Sequence, residues 1–180
     1  MSETPWNPLS VLDKDVASPV TAEEDTAQSY VIFELKGQWL ATNVSQVREI
    51  LDDQALTSLP NAPGDVEGMI DVRGTSITIV DIAQHLGIRD YSDIQPERIV
   101  VFEFDRRDEA PLAIGVRTDT VRDVCHILDA SIEDPPEALS SWDQSMIRGV
   151  SRVDNRMIII IDFSTIVSKC SDNSDIFDFT

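Results

Sequence analysis

The sequence carries the same pattern twice. Gly68–Ala83 overlays Gly149–Ser164 without a gap, 81 positions further on, and five of the sixteen positions are identical: Gly68 and Gly149, Val72 and Val153, Ile77 and Ile158, Ile79 and Ile160, Asp81 and Asp162. The remaining pairs are physically alike. Gly74 faces Asn155, the residue types that best tolerate positive φ in a tight hairpin, and Val80 faces Ile161 as Ile82 faces Phe163. Upstream blocks recur in the same order. Val31–Leu35 aligns with Val100–Phe104, Leu40-Ala41 with Leu112-Ala113, and Val47-Arg48-Glu49-Ile50 with Val121-Arg122-Asp123-Val124. A unit of about 60 residues is marginal alone. Two copies of a β unit with about five strands each are therefore expected to bury apolar faces against one another, leaving a groove between them.

Local patterns support a mainly β chain with a few short helices. Val31, Phe33 and Leu35 alternate in a β-branched and aromatic run, Lys36-Gly37 signals a turn, and Gln38–Thr42 returns. Strands are also expected over Val66–Val72, around Ile77–Ile79, and over Ile99–Phe104, Leu112–Val116, roughly Arg122–Leu128, Met146–Val153 and Met157–Ile161. Asn43 is expected to cap a short helix, with Gln46 closing a capping box and Val44, Val47 and Ile50 or Leu51 on one face. Asp81 and Asp162 read as N-caps of short helices, the first ending at Gly87. Residues 1–28 read as a disordered acidic tail, 29–168 as the folded domain with halves at about 30–88 and 98–168, and 169–180 as a C-terminal tail. The last six residues, Asp175-Ile176-Phe177-Asp178-Phe179-Thr180, alternate acidic with apolar side chains and suit a frayed end or a short peptide ligand.

Several chemistries are disfavoured. The formal charge of −19, from 33 acidic and 14 basic residues, repels phosphate backbones, so neither nucleic acid nor a membrane surface is an expected partner. No apolar run approaches the ~20 residues that span a bilayer, and no signal peptide opens the sequence. A soluble, cytoplasmic protein with free thiols is expected. His85 and His126 lack ligand-spaced partners and no glycine-rich phosphate loop occurs, so no metal or cofactor is expected. Cys125 reads as a buried structural thiol, since its neighbour His126 would point to the opposite face of a strand. The matched aspartates Asp81 and Asp162 admit one enzymatic alternative, a duplicated-β hydrolase using both. Their contexts, Asp81-Ile82-Ala83 and Asp162-Phe163-Ser164, are instead those of helix caps.

Val47-Arg48-Glu49-Ile50, Thr57-Ser58-Leu59-Pro60, Gly68–Gly74 and Ile77–Ile82, with Ile114-Gly115-Val116, Gly149-Val150 and Met157–Asp162 in the second half, resemble the CheW-like family of chemotaxis coupling proteins. The resemblance covers roughly residues 29–168. It implies two SH3-like five-stranded β-barrel subdomains sharing a hydrophobic interior. It also implies a non-enzymatic adaptor in a signalling array, coupling the regulatory domain of a CheA-type histidine kinase to the cytoplasmic tips of methyl-accepting chemotaxis receptors. An array adaptor of a non-chemotactic two-component pathway would follow the same physics. The family's receptor-groove positions fall on Val44, Val47, Glu49, Gly68 and Arg73. Val44 and Val47 equally suit a packed core, Gly68 a close backbone approach, and Arg73 a solvated hairpin. The family commonly has Asn where this chain has Asp71, which adds a carboxylate near Arg73.

Overall fold

The computed structural model describes residues 26–89, 93–107 and 110–166. Most of the two expected tails, Cys170 and the part of the expected helix after Asp162 that would follow residue 166 lie outside them. Ten strands carry the fold: β1 (Ala27–Leu35), β2 (Gln38–Asn43), β3 (Val47–Asp52), β4 (Val66–Val72), β5 (Thr75–Val80), β6 (Arg98–Phe104), β7 (Leu112–Thr118), β8 (Thr120–Leu128), β9 (Ile147–Val153) and β10 (Arg156–Ile161). The short helix α1 (Ile82–Leu86) follows β5. Three hairpins turn on residue pairs at positive φ: Lys36 with Gly37, Arg73 with Gly74, and Asp154 with Asn155. That geometry matches the right-handed twist of the flanking strands.

The strands form two five-stranded sheets, ordered β8-β1-β2-β10-β9 and β3-β6-β7-β5-β4. Replacing each strand of the first sheet by its repeat mate yields the second. Each sheet therefore joins the first hairpin of one repeat to the last three strands of the other. The stretches 30–88 and 98–168 are repeats of sequence, and neither is a sheet by itself. Register confirms the doubling in detail. A bulge at Val66/Gly68 recurs at Ile147/Gly149. The parallel contact of Ile79 with Gly115 recurs as Ile160 with Ala41. This register matches Leu40-Ala41 to Ile114-Gly115 rather than to Leu112-Ala113; the two-residue difference preserves the face each side chain occupies.

Three apolar clusters hold the molecule. Ile70, Val72, Ile77, Ile79, Ile99 and Val101 fill one barrel, and Tyr30, Ile32, Ala41, Ile127, Ile158 and Ile160 fill the other. Between the sheets lies a larger shared core that includes Phe33, Leu40, Val80, Leu86, Phe102, Ile114, Ile161 and Phe163. Phe163 stacks on Phe102 with centroids 4.0 Å apart and planes 20° apart, a contact worth about 1 kcal/mol beyond its buried area. Strand alternation explains the division: on β10, Ile158 and Ile160 face the barrel while Ile159 and Ile161 face the shared core.

Two local expectations change. The stretch after Asn43 forms a single 3-10 turn, Val44–Gln46, and then enters β3 rather than a helix. Asn43 does cap the turn, accepting the Ser45 N–H at 2.9 Å, but Gln46 donates to Asp162 and Ser164 and closes no capping box. Strand β1 also reaches into the expected tail, because Ala27 and Gln28 pair with Leu128 and Ile127 on β8. Asp81 caps α1 through the Gln84 N–H, and Gly87 ends it at φ 75.

Candidate partner-docking site

Strands β3 and β4 are the two ends of one sheet, and among the described residues no backbone pairing joins them. Side chains cross the gap. Glu49 on β3 lies 3.2 Å from Arg73 in the β4–β5 turn. Arg48 lies 3.4 Å from Glu49 and 3.1 Å from Glu103 on β6. Further along, Arg117 on β7 grips Asp53 with two bonds of 2.7 Å and reaches Glu67 on β4 at 3.4 Å. Hydrogen bonding to Asp53 holds the Arg117 guanidinium pKa above its ordinary value despite partial burial.

Local structure sets up this arrangement. A bulge at Arg48 places Val47 opposite Phe102 and Glu49 opposite Val101. Val47 thereby packs on the shared core, while the Glu49 side chain stays 15% exposed. Its Oε1 is buried and makes no hydrogen bond, because the Arg48 contact is an ion pair without the alignment of one. Arg73 is 79% exposed and sits at φ 53, a conformation that costs a non-glycine residue about 1 kcal/mol. Asp71 has a part in the turn itself, since its carboxylate accepts the Gly74 N–H at 3.0 Å and stabilises the turn.

Of the five residues that the resemblance singled out, Glu49 and Arg73 are in direct contact. Val47 shares the strand of Glu49, and Val44, 39% exposed, sits in the turn that leads into it. Gly68 has a packing role of its own: a Cβ there would lie 2.7 Å from the Thr57 carbonyl oxygen, where Thr57 bridges to Met69. Sequence reasoning passed over Arg48, Glu103 and the exposed Ile50. The repeat held a signal for Arg48 and Ile50, because the block Val47–Ile50 recurs as Val121–Val124.

The two aspartates of the hydrolase alternative line separate clefts. Asp81 accepts from Gln84. Asp162 accepts from Ser164 and Gln46. Burial pushes the Asp162 carboxyl up, but the Ser164 and Gln46 hydrogen bonds, with the Arg148 charge, outweigh burial and hold it below the ordinary carboxylate value. Capping accounts for both residues. His85 pairs with Asp65 at 2.7 Å and His126 with Ser29 at 3.1 Å. Among the described residues no group of three or more metal-binding side chains assembles. Cys125 is half-buried rather than buried. Burial, then the Asp123 and Asp154 carboxylates, push its thiol pKa up.

The family model of the CheW-like domain matches residues 29–171. The chain is 27% identical over 159 residues to the chemotaxis protein CheW of Bacillus subtilis, covering 88% of this chain and 99% of that relative. It is 29% identical over 136 residues to the chemotaxis protein CheW of Rhizobium meliloti, covering 76% and 84%. The crystal structure of the scaffolding protein TtCheW from Thermoanaerobacter tengcongensis is similar at a TM-score of 0.64 and 28% identity, over 76% of this chain and 85% of that one.

Proposed function

The chain belongs to the CheW-like domain family, and we propose that it is a non-enzymatic scaffold joining methyl-accepting chemotaxis receptors to a CheA-type histidine kinase. The receptor's cytoplasmic helical tip docks on the Glu49–Arg73 seam, and a barrel face meets the kinase regulatory domain. The adaptor works in the cytoplasm, held at receptor arrays by these contacts; no described helix is long and apolar enough to cross a membrane.

One observation carries the reading: a Glu49 carboxylate with one buried oxygen that makes no hydrogen bond pairs through its other oxygen with Arg73, which is 79% exposed and held at positive φ. A packed fold gains little from such an arrangement, whereas an incoming helix gains two charges that fix its register. Val44 and Ile50, 39% and 42% exposed, add apolar area beside them. Signal passes if the scaffold's contacts differ between kinase states, because a ligand shifts an equilibrium only by its differential affinity.

The test is simultaneous binding. Calorimetry with a kinase regulatory domain and co-sedimentation with receptor-bearing vesicles should each show binding, and the kinase domain should enter the receptor pellet only when the adaptor is present. Binding to neither partner, or mutually exclusive binding, overturns the reading.

A further inference from the structure

The twofold relation between the repeats carries the seam of one barrel onto the other: Arg48 onto Arg122, Glu49 onto Asp123, Arg73 onto Asp154. The Glu49–Arg73 ion pair has no counterpart, since both mates are carboxylates. In its place stands Trp39, with the guanidinium carbons of Arg122 and Arg156 at 4.7 and 4.8 Å from its ring centroid. Neither arginine makes an ion pair or hydrogen bond among the described residues, and the Asp123 carboxylate accepts the Val124 N–H at 2.7 Å. Around Trp39 opens a cleft of about 550 Å³ with apolar walls from Ile32, Val153 and Ile158; Asp123 and Asp154 also line it. In a chain of formal charge −19, two arginines held on an indole without a carboxylate partner stand out. Their N–H forks suit carboxylates, and the apolar walls suit an aromatic ring.

We propose that this cleft docks the chain's own segment Asp175–Thr180. That segment offers the complementary pattern, with Asp175 and Asp178 set among Ile176, Phe177 and Phe179. Arg122 and Arg156 take the carboxylates, and a phenylalanine lies against the apolar wall. The reach suffices. From Ile166, the last described residue, the nine residues to Asp175 extend up to about 30 Å. Strand β10 leads back to Arg156 over roughly 17 Å. An intramolecular ligand acts at millimolar effective concentration, so modest contacts are enough to hold it. Docking covers the surface that is the twin of the Glu49–Arg73 seam, so the two barrels present different faces to partners.

The test uses the whole chain labelled with nitrogen-15. The Trp39 indole signal, assigned with Trp39→Phe, is compared between the natural chain and a Phe177→Ser/Phe179→Ser variant, which alters no residue of the described core. The Trp39 signal is expected to move while that of Trp142 stays in place. Arg122→Glu with Arg156→Glu should in turn bring the amides of 175–180 to the relaxation values of a free tail. A Trp39 signal that ignores the tail substitutions overturns the proposal. So does a shift that grows with protein concentration, because the occupant would then be a second copy's segment.

Discussion

Glu49 and Arg73 meet at 3.2 Å although they belong to opposite ends of one five-stranded sheet. An ion pair with so exposed a partner contributes at most about 1 kcal/mol to stability. The φ of 53° at Arg73 takes back a similar amount. The arrangement therefore does little for the fold, and it holds a guanidinium at the rim of a barrel.

Arg73→Asn separates these roles. Asparagine adopts positive φ more readily than arginine, so urea denaturation should give a stability within about 0.5 kcal/mol of the natural chain, or slightly above it. Co-sedimentation with receptor vesicles should weaken by about tenfold, the equivalent of 1.4 kcal/mol. Arg73→Glu should weaken it further with a native circular dichroism spectrum. Undiminished receptor binding by a folded Arg73→Glu protein removes Arg73 from the site.

Gly68 and Gly149 should both resist alanine, Gly68 with the added strain of a side chain at φ 154. A Cβ on Gly68 would meet the Thr57 carbonyl oxygen at 2.7 Å, and one on Gly149 the Glu133 carbonyl oxygen at 2.6 Å. The bridges Thr57–Met69 and Glu133–Val150 are mates under the repeat, so each strand would have to move off the same kind of backbone neighbour. Each substitution should cost about 1–3 kcal/mol, read from denaturation midpoints. A variant as stable as the natural chain would mean that the close approach is absent at that position.

Those glycines show why so much of the fold was legible. Close approach, tight turn and N-cap each demand a particular residue, and duplication writes the demand twice, as at Gly68 and Gly149 or Asp81 and Asp162. The exchange of strands between repeats was not legible, because two copies of one unit present like edges and local pattern does not say whether a hairpin pairs with its own repeat or the other. The stretch after Asn43 misleads for a different reason. Val44, Val47 and Ile50 fit a helical period, and the bulge at Arg48 breaks the alternation that would mark a strand. Glu49 and Arg73 were named through the resemblance; their contact depends on the curvature of a sheet that brings residues 24 positions apart across its open seam. Trp39 drew no notice, since nothing in its neighbourhood of sequence announces Arg122 or Arg156.

Asp162 predicts acid sensitivity. Its carboxyl is held below its ordinary value in the folded state. The stability it contributes is therefore complete above the unfolded carboxylate pKa and lost as pH falls through the folded one. Asp162→Asn should make the fall in stability between about pH 5 and pH 2 shallower, measured as thermal midpoint against pH. An unchanged slope would show that its capping bonds do not favour the ionised form.

Cys125 gives the opposite sign. Burial and the Asp123 and Asp154 carboxylates disfavour its thiolate, so the folded thiol ionises at higher pH than a free one. On a Cys170→Ser background, iodoacetamide should modify the native chain slowly near pH 8, with an inflection above that of the urea-unfolded chain. Stability should fall as pH rises past the unfolded thiol's pKa, because only the unfolded state then releases the proton readily. Asp123→Asn with Asp154→Asn should shift the native inflection part of the way down, leaving the part due to burial. A native inflection at or below that of the unfolded chain would mean that Arg122 and Arg156, not the two carboxylates, govern the potential in the Trp39 cleft.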